Sequence, residues 1–170
     1  MCVDPAQRIL LLRWRDPESG RHIWEPPGGG IQEGEDPPAA ARRELYEETG
    51  LGPAGLDARY VLVHRETRWN GVDFAGEEAF FVCRLADAPQ VRPGALEEYE
   101  AEQLTGHRWV PWDALGALPD PLEPPRLLEI LTELAPDGPW AAAGGGQAPA
   151  GTGPAAAPSA TSRRNDSLDR

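Results

Sequence analysis

Residues 8–15, RILLLRWR, alternate so that Leu10, Leu12 and Trp14 point one way while Arg13 and Arg15 point the other, which predicts a β-strand. Residues 59–66, RYVLVHRE, and 78–86, EAFFVCRLA, read as two more. The second is almost continuously apolar and suits a strand covered on both faces. Between them, residues 67–76 read as a turn with Asn70-Gly71 at its tip and Trp69 and Phe74 on its flanks. Residues 107–110 return as a short strand after a long connection over 87–106.

Helical spacing appears in two places. Residues 37–49 carry Asp36 as N-cap, Pro37 at the first helical position and Gly50 just past the end. Ala41, Leu45 and Thr49 give this helix a side that can face a sheet. Residues 124–134 form a closing helix with the stripe Leu127, Ile130, Leu131 and Leu134, and residues 112–118 a short helical turn. Residues 1–3 are an apolar stub, 16–21 a turn, 22–27 the approach to a glycine-rich loop, and 52–57 a loop. The expected fold is α/β, a mixed sheet with helices on both faces.

Composition sets the boundaries. A chain of 170 residues with 40% hydrophobic content supports one domain, placed at residues 1–135. From residue 136 onward Ala, Gly and Pro dominate and only Trp140 and Leu168 are large and apolar, so 136–170 is expected to be a disordered, dispensable tail. The net charge of −12 argues against nucleic-acid duplexes and anionic membranes as main partners, but not against a small nucleotide arriving with its own cation. No long apolar run or leader is present, so a cytoplasmic protein is expected, and a homodimer is left open. Cys2 and Cys83 have no ligand-like spacing, Cys83 reads as a small core residue, and His22, His64 and His107 make no metal set.

The helix at 37–49 holds the chemistry. Glu44, Glu47 and Glu48 fall within an arc of about 100° on one face. Arg43 precedes Glu47 by four residues and can hold that carboxylate while the others stay free. Carboxylates repelling at i, i+4 need a reason, and a hard cation such as Mg²⁺ supplies one, although a solvated acidic face is the plainer account. Glu35 in the preceding loop can join or orient the cluster. Gly28, Gly29, Gly30 and Gly34 let backbone approach a ligand closely.

The spacing narrows the choice. Gly29, Glu35, Arg43, Glu44, Leu45, Glu47, Glu48, Gly50 and Leu51 match every position of the Nudix box, G-x5-E-x7-R-E-U-x-E-E-x-G-U with U aliphatic. Seven fixed identities coincide by chance in only about one window in 10⁸. The chain resembles Nudix hydrolases, closely in the box and more loosely over residues 8–134. The resemblance implies an α/β/α sandwich and hydrolysis of a phosphoanhydride in a nucleoside diphosphate linked to another group. It also implies Glu44, Glu47 and Glu48 as ligands to Mg²⁺ or Mn²⁺, with Arg43 orienting them and Glu35 supporting them. Relatives usually carry a longer strand before the Asp4-Pro5 turn, which implies a shortened or wrongly assigned start.

Other roles are set less tightly. In relatives a glutamate before a strand tryptophan acts as base or extra metal ligand; Glu102, ahead of Trp109, is the candidate, with Glu77, Glu78, Glu98 and Glu100 as alternatives. Arg13 and Arg15 can clamp phosphate or line an exposed edge. Trp24 can stack a base or plug the space under the glycine loop. Trp69 resembles an aromatic used by dinucleoside-polyphosphate hydrolases, while signatures of coenzyme A or NADH diphosphatases are not evident. Two rival readings are a Nudix-fold module that senses a nucleotide without cleaving it and an isoprenoid-diphosphate isomerase. The first predicts a degraded carboxylate set; the second needs a catalytic cysteine, and Cys83 lies in an apolar strand.

Overall fold

The structure is a computed structural model that describes residues 1–142. Its sheet is built around β2, Arg8–Arg15. One edge of β2 pairs antiparallel with β6, Leu104–Pro111, from Arg8↔Pro111 to Trp14↔Leu104. The other edge is shared between β1, Cys2–Val3, at Val3↔Ile9, and β3, His22–Glu25, from Leu12↔Glu25 to Arg15↔His22. β1 then pairs in parallel with β5, Val72–Arg84, which forms a long antiparallel hairpin with β4, Leu56–Trp69. The order is β3-β2-β1-β5-β4, with β6 on β2 outside this path.

Strand alternation decides what lies on each face. Ile9 and Leu11 project into one core with Val82, Val110 and the apolar stripe of α3, Leu127–Leu134. Leu10 projects the other way, against Leu45 of α1, Pro37–Thr49, and Leu51. Helices therefore cover both faces of a mixed sheet. Cys83 sits in the α1-side core beside its register partner Cys2, both buried and both free thiols.

α1 has the predicted ends. The Asp36 carboxylate accepts from Ala39 N–H at 2.7 Å, and Gly50 closes the helix at φ 70° with its N–H on Tyr46 O at 2.7 Å. A Cβ at Gly50 would lie 2.2 Å from Arg92 O, so glycine is required there by packing as well as by φ.

Several boundaries move. The hairpin strands run up to Trp69 and from Val72, so the turn is only Asn70-Gly71, at φ 48° and 74°. Residues expected as loop pair directly across the ribbon, and tertiary pairing overrides their polar composition. The long connection contains a helix, α2, Glu98–Gln103, opened by a reciprocal capping box between Glu97 and Glu100. α3 starts later than expected, at Leu127, and a 3₁₀ turn occupies Trp112–Ala117.

The tail boundary at residue 136 is corrected. Pro139–Ala142 forms a further 3₁₀ turn, Trp140 is fully buried in the α3-side core, and its Nε1–H donates to Ala135 O at 2.7 Å. One large aromatic outweighs the surrounding small residues, because its burial offsets the ordering of the few residues that deliver it. The expectation of a disordered tail otherwise falls on residues 143–170, outside the described residues. Trp140→Ala is expected to lower folding stability by about 3–5 kcal/mol, measured by urea denaturation. A loss below about 1 kcal/mol would mean that this side chain is dispensable.

Candidate functional site

α1 carries the acidic face, and Arg43 organises it. Its Nε and Nη2 donate to Glu35 Oε1 and Oε2 at 3.0 and 2.9 Å, and Nη2 also donates to Gly30 O at 2.8 Å. Nη1 donates to Glu44 Oε1 at 2.7 Å and Glu47 Oε2 at 2.9 Å. The expectation that only Glu47 would be held, with the other carboxylates free, is therefore corrected. The glycine loop folds back far enough to bring Glu35 onto the same guanidinium, which holds the Glu35 carboxyl below its usual range.

Glu48 stands apart from that hub. It is 4% exposed, and its Oε2 accepts from Gly28 N–H at 2.8 Å. Burial pushes its carboxyl well above the usual carboxylate value; the Gly28 bond opposes this, and the charges of Glu25, Glu44 and Glu100 add to it. Glu44, 8% exposed, is likewise raised by burial, against its bonds to Arg43. Gly29 makes room for this arrangement, since a Cβ there would lie 2.5 Å from Glu44 Oε1.

The donor chemistry suits a hard divalent cation, because oxygen ligands that repel one another and are poorly solvated are what such an ion neutralises. Among the described residues, no three His, Cys, Asp or Glu side chains converge on one point as a metal set. The reason is local. Arg43 draws Glu44 and Glu47 to one side while Gly28 holds Glu48 on the other, so binding requires rotation of side chains already on the right face. We take the donor set as fitting and the rotamers as those of hydrogen-bonded carboxylates.

Other expected residues are not brought to this cluster. Arg13 and Arg15 project toward the α3 side of β2, opposite α1, and Arg13 is bonded to Asp120 at 2.8 Å. Trp24, paired with Arg13, is 4% exposed within the α3-side core, on the face opposite α1. Trp69 packs with Leu12, Trp14 and Ile23 and donates to Gln103 Oε1 at 3.0 Å. Glu102 is exposed on α2. The α2 carboxylate whose charge acts on both Glu44 and Glu48 is Glu100, held by Tyr99 Oη–H at 3.1 Å and Glu97 N–H at 3.0 Å.

Glu25 was missed. Register places it opposite Leu12, on the α1 side of the sheet, and its charge acts on Glu48. Strand parity from Ile23 would have found that side, but a strand at 22–25 was not legible as such.

Arg43→Met strips three carboxylates of their shared cation and is expected to cost about 3 kcal/mol in urea denaturation; a loss under about 0.5 kcal/mol would mean that the hub does not stabilise the fold. Glu48 acts in the opposite sense. Its folded-state pKa lies above the ordinary 4.5, so the native cation-free protein binds the extra proton and stability falls as pH rises through that window. Glu48→Gln is expected to flatten that slope, leaving the share that Glu44 contributes, with Gly28 N–H still accepted by the amide oxygen; an unchanged pH profile would place the titration elsewhere.

Known proteins resemble this chain over the same region. A family model for the NUDIX domain matches residues 1–134. The RNA pyrophosphohydrolase of Psychromonas ingrahamii is 35% identical over 125 residues, covering 65% of this chain and 63% of that protein. The RNA pyrophosphohydrolase of Vibrio cholerae is 33% identical over 102 residues, covering 54% and 58%. The chain thus spans less than two thirds of the length of these curated relatives. Among solved structures, a Nudix hydrolase from M. smegmatis superposes with a TM-score of 0.51 at 25% identity, covering 78% of this chain and 81% of that one. The E. coli dihydroneopterin triphosphate pyrophosphohydrolase shares the fold, with a TM-score of 0.57 at 21% identity and coverage of 81% and 94%. With a complete box on a capped helix, an arginine-centred carboxylate cluster and a family match over most of its length, this chain belongs to the Nudix family.

Proposed function

We propose that this protein is a hydrolase that uses Mg²⁺ or Mn²⁺ to cleave a phosphoanhydride bond in a nucleoside diphosphate linked to another group. The observation that carries the reading is the burial of Glu48 beside Glu44, with Glu25 and Glu100 adding charge of the same sign. Such crowding costs stability in a protein with no cation to meet and is relieved in one that has it.

Glu44, Glu47 and Glu48 would hold the cation, with Glu35 held behind them by Arg43. When bound, the cation supplies positive charge against the phosphate oxygens as they gain charge in the transition state. Arg43 tethers Glu44 and Glu47 on one face of α1, from which their oxygens would turn toward the cation. Gly28 and Gly29 keep the loop backbone close to the carboxylates. Glu100 is the proton acceptor in this reading, in place of Glu102. Water forms the new P–O bond in line with the bridging oxygen, which leaves with the bonding electrons, while Glu100 takes a proton from the water. The products are a nucleoside monophosphate and a phosphorylated remainder, or pyrophosphate from a triphosphate.

The substrate class follows from this chemistry only as far as the anhydride. Relatives named RNA pyrophosphohydrolases add an RNA 5′ end to the candidates. An acidic chain disfavours broad contact with duplex phosphates, but one 5′ end reaching the carboxylates needs no such contact. No helix among the described residues is long and apolar enough to cross a membrane, and we place the reaction in the cytoplasm, where nucleotides are met.

The test is cleavage of nucleoside triphosphates, ADP-ribose, nucleotide sugars, dinucleoside polyphosphates, NADH and 5′-triphosphorylated RNA, with and without Mg²⁺ or Mn²⁺. Cleavage that requires the cation and is lost in Glu48→Gln is the expected result. Glu100→Gln should lower the rate by about 10²–10⁴-fold while Glu102→Gln leaves it unchanged; the reverse pattern would return the base to Glu102. Mn²⁺ should raise the Tm of the wild type and not of Glu48→Gln. If a nucleotide binds with cation and no substrate is cleaved, the protein is a regulatory module.

A further inference from the structure

The β4–β5 hairpin delivers an arginine that the carboxylate helix does not use. Arg65 on β4 has a side chain only 12% exposed, among carboxylates from three separate segments. It donates to Glu78 at 2.6 Å and lies 3.7 Å from Glu123 and 3.9 Å from Glu25.

Glu25 and Glu123 belong to one joint. They follow the partners of the parallel bridge Trp24↔Leu122, where Trp24 N–H donates to Pro121 O at 2.8 Å and Glu123 N–H to Trp24 O at 2.7 Å. Arg65 therefore bears on both sides of the joint that fixes the end of β3. From there the chain passes through Pro26 and Pro27, whose rings fix φ, to Gly28, whose N–H binds Glu48. Two prolines leave little slack between anchor and donor, so movement of the joint is passed on to Gly28.

We propose that Arg65 is a positioning residue for Glu48: it clamps Glu25 and Glu123 and, through the two-proline segment, holds the Gly28 N–H against the Glu48 carboxylate. It touches no substrate. The inference rests on Glu48 being a cation ligand, as in the proposed function, and groups that orient ligands in this way typically alter cation affinity by about 10–100-fold.

The experiment titrates Mn²⁺ alone into the full chain, followed by calorimetry and by electron paramagnetic resonance. The proteins are wild type, Arg65→Lys, Arg65→Met, Glu25→Gln, the double variant Arg65→Met/Glu25→Gln and, as a control, Arg84→Met, which removes an exposed ion pair with Asp137 remote from the cluster. Arg65→Met is expected to bind Mn²⁺ about tenfold or more weakly. Arg65→Lys should fall between, because the charge stays and the planar fork is lost, and Arg84→Met should match wild type. In the Glu25→Gln background, Arg65→Met should add less than it does alone, since both act on one joint. Arg65→Met that lowers the Tm but binds Mn²⁺ like Arg84→Met would overturn the proposal. If Arg65→Met does not fold, Arg65→Lys decides: weaker binding supports the clamp, wild-type affinity overturns it. Wild type that binds no Mn²⁺ would instead remove the reading of Glu48 as a cation ligand, and this inference with it.

Discussion

The fork of Arg43 is the constraint on which the site depends. A guanidinium has five N–H donors in one plane, and here all five are used, on Glu35, Glu44, Glu47 and the carbonyl of Gly30. Two of these partners lie on the helix and two in the loop before it, so one side chain sets how the loop meets the helix. A lysine at this position would supply a point charge without the fixed directions. The like charges of the acidic face thereby become a stabilising arrangement in the folded protein.

Glu48 is the counterpart, buried where Arg43 does not reach. A carboxylate 4% exposed with a single backbone donor is poorly compensated, and its neighbours make it more so. Structural economy alone would favour an apolar or amide side chain there. The proposed cation site would account for that cost, since burial and like charges crowd together at many functional sites. Glu25 comes from β3 and Glu100 from α2, so charges on separate elements bear on the same carboxylate.

The sheet explains why convergence occurs on one side only. Four consecutive leucine and isoleucine side chains of β2 are fully buried: Ile9 and Leu11 on the α3 side, Leu10 against α1, and Leu12 on that same face in a cluster with Trp14 and Ile23. That parity carries Arg13 and Arg15 to the face opposite α1, and Trp24 with them. The same face receives Trp140, which closes the α3-side core from beyond the last regular helix. Arginines that read as phosphate ligands on charge alone are thus separated from the carboxylates by the thickness of the sheet.

The sequence by itself determined the helix, its caps, its acidic face and the alternation of β2, because each is set by residues within a few positions of one another. Asp36, Pro37 and Gly50 mark the ends of α1 by local hydrogen bonding and φ preference, and the box places Arg43 four residues from Glu47 whatever the rest of the chain does. Only the tertiary structure decided which carboxylate of α2 faces the cluster, that Glu25 joins it, that the hairpin runs to Asn70-Gly71, and that Trp140 is core. These depend on pairings between segments far apart in the chain, Leu12 with Glu25, Trp24 with Leu122 and Thr67 with Phe74 across a ribbon of mixed composition. No local spacing encodes such contacts, since the free energy that fixes them comes from burial and hydrogen bonds formed only when the whole sheet is assembled.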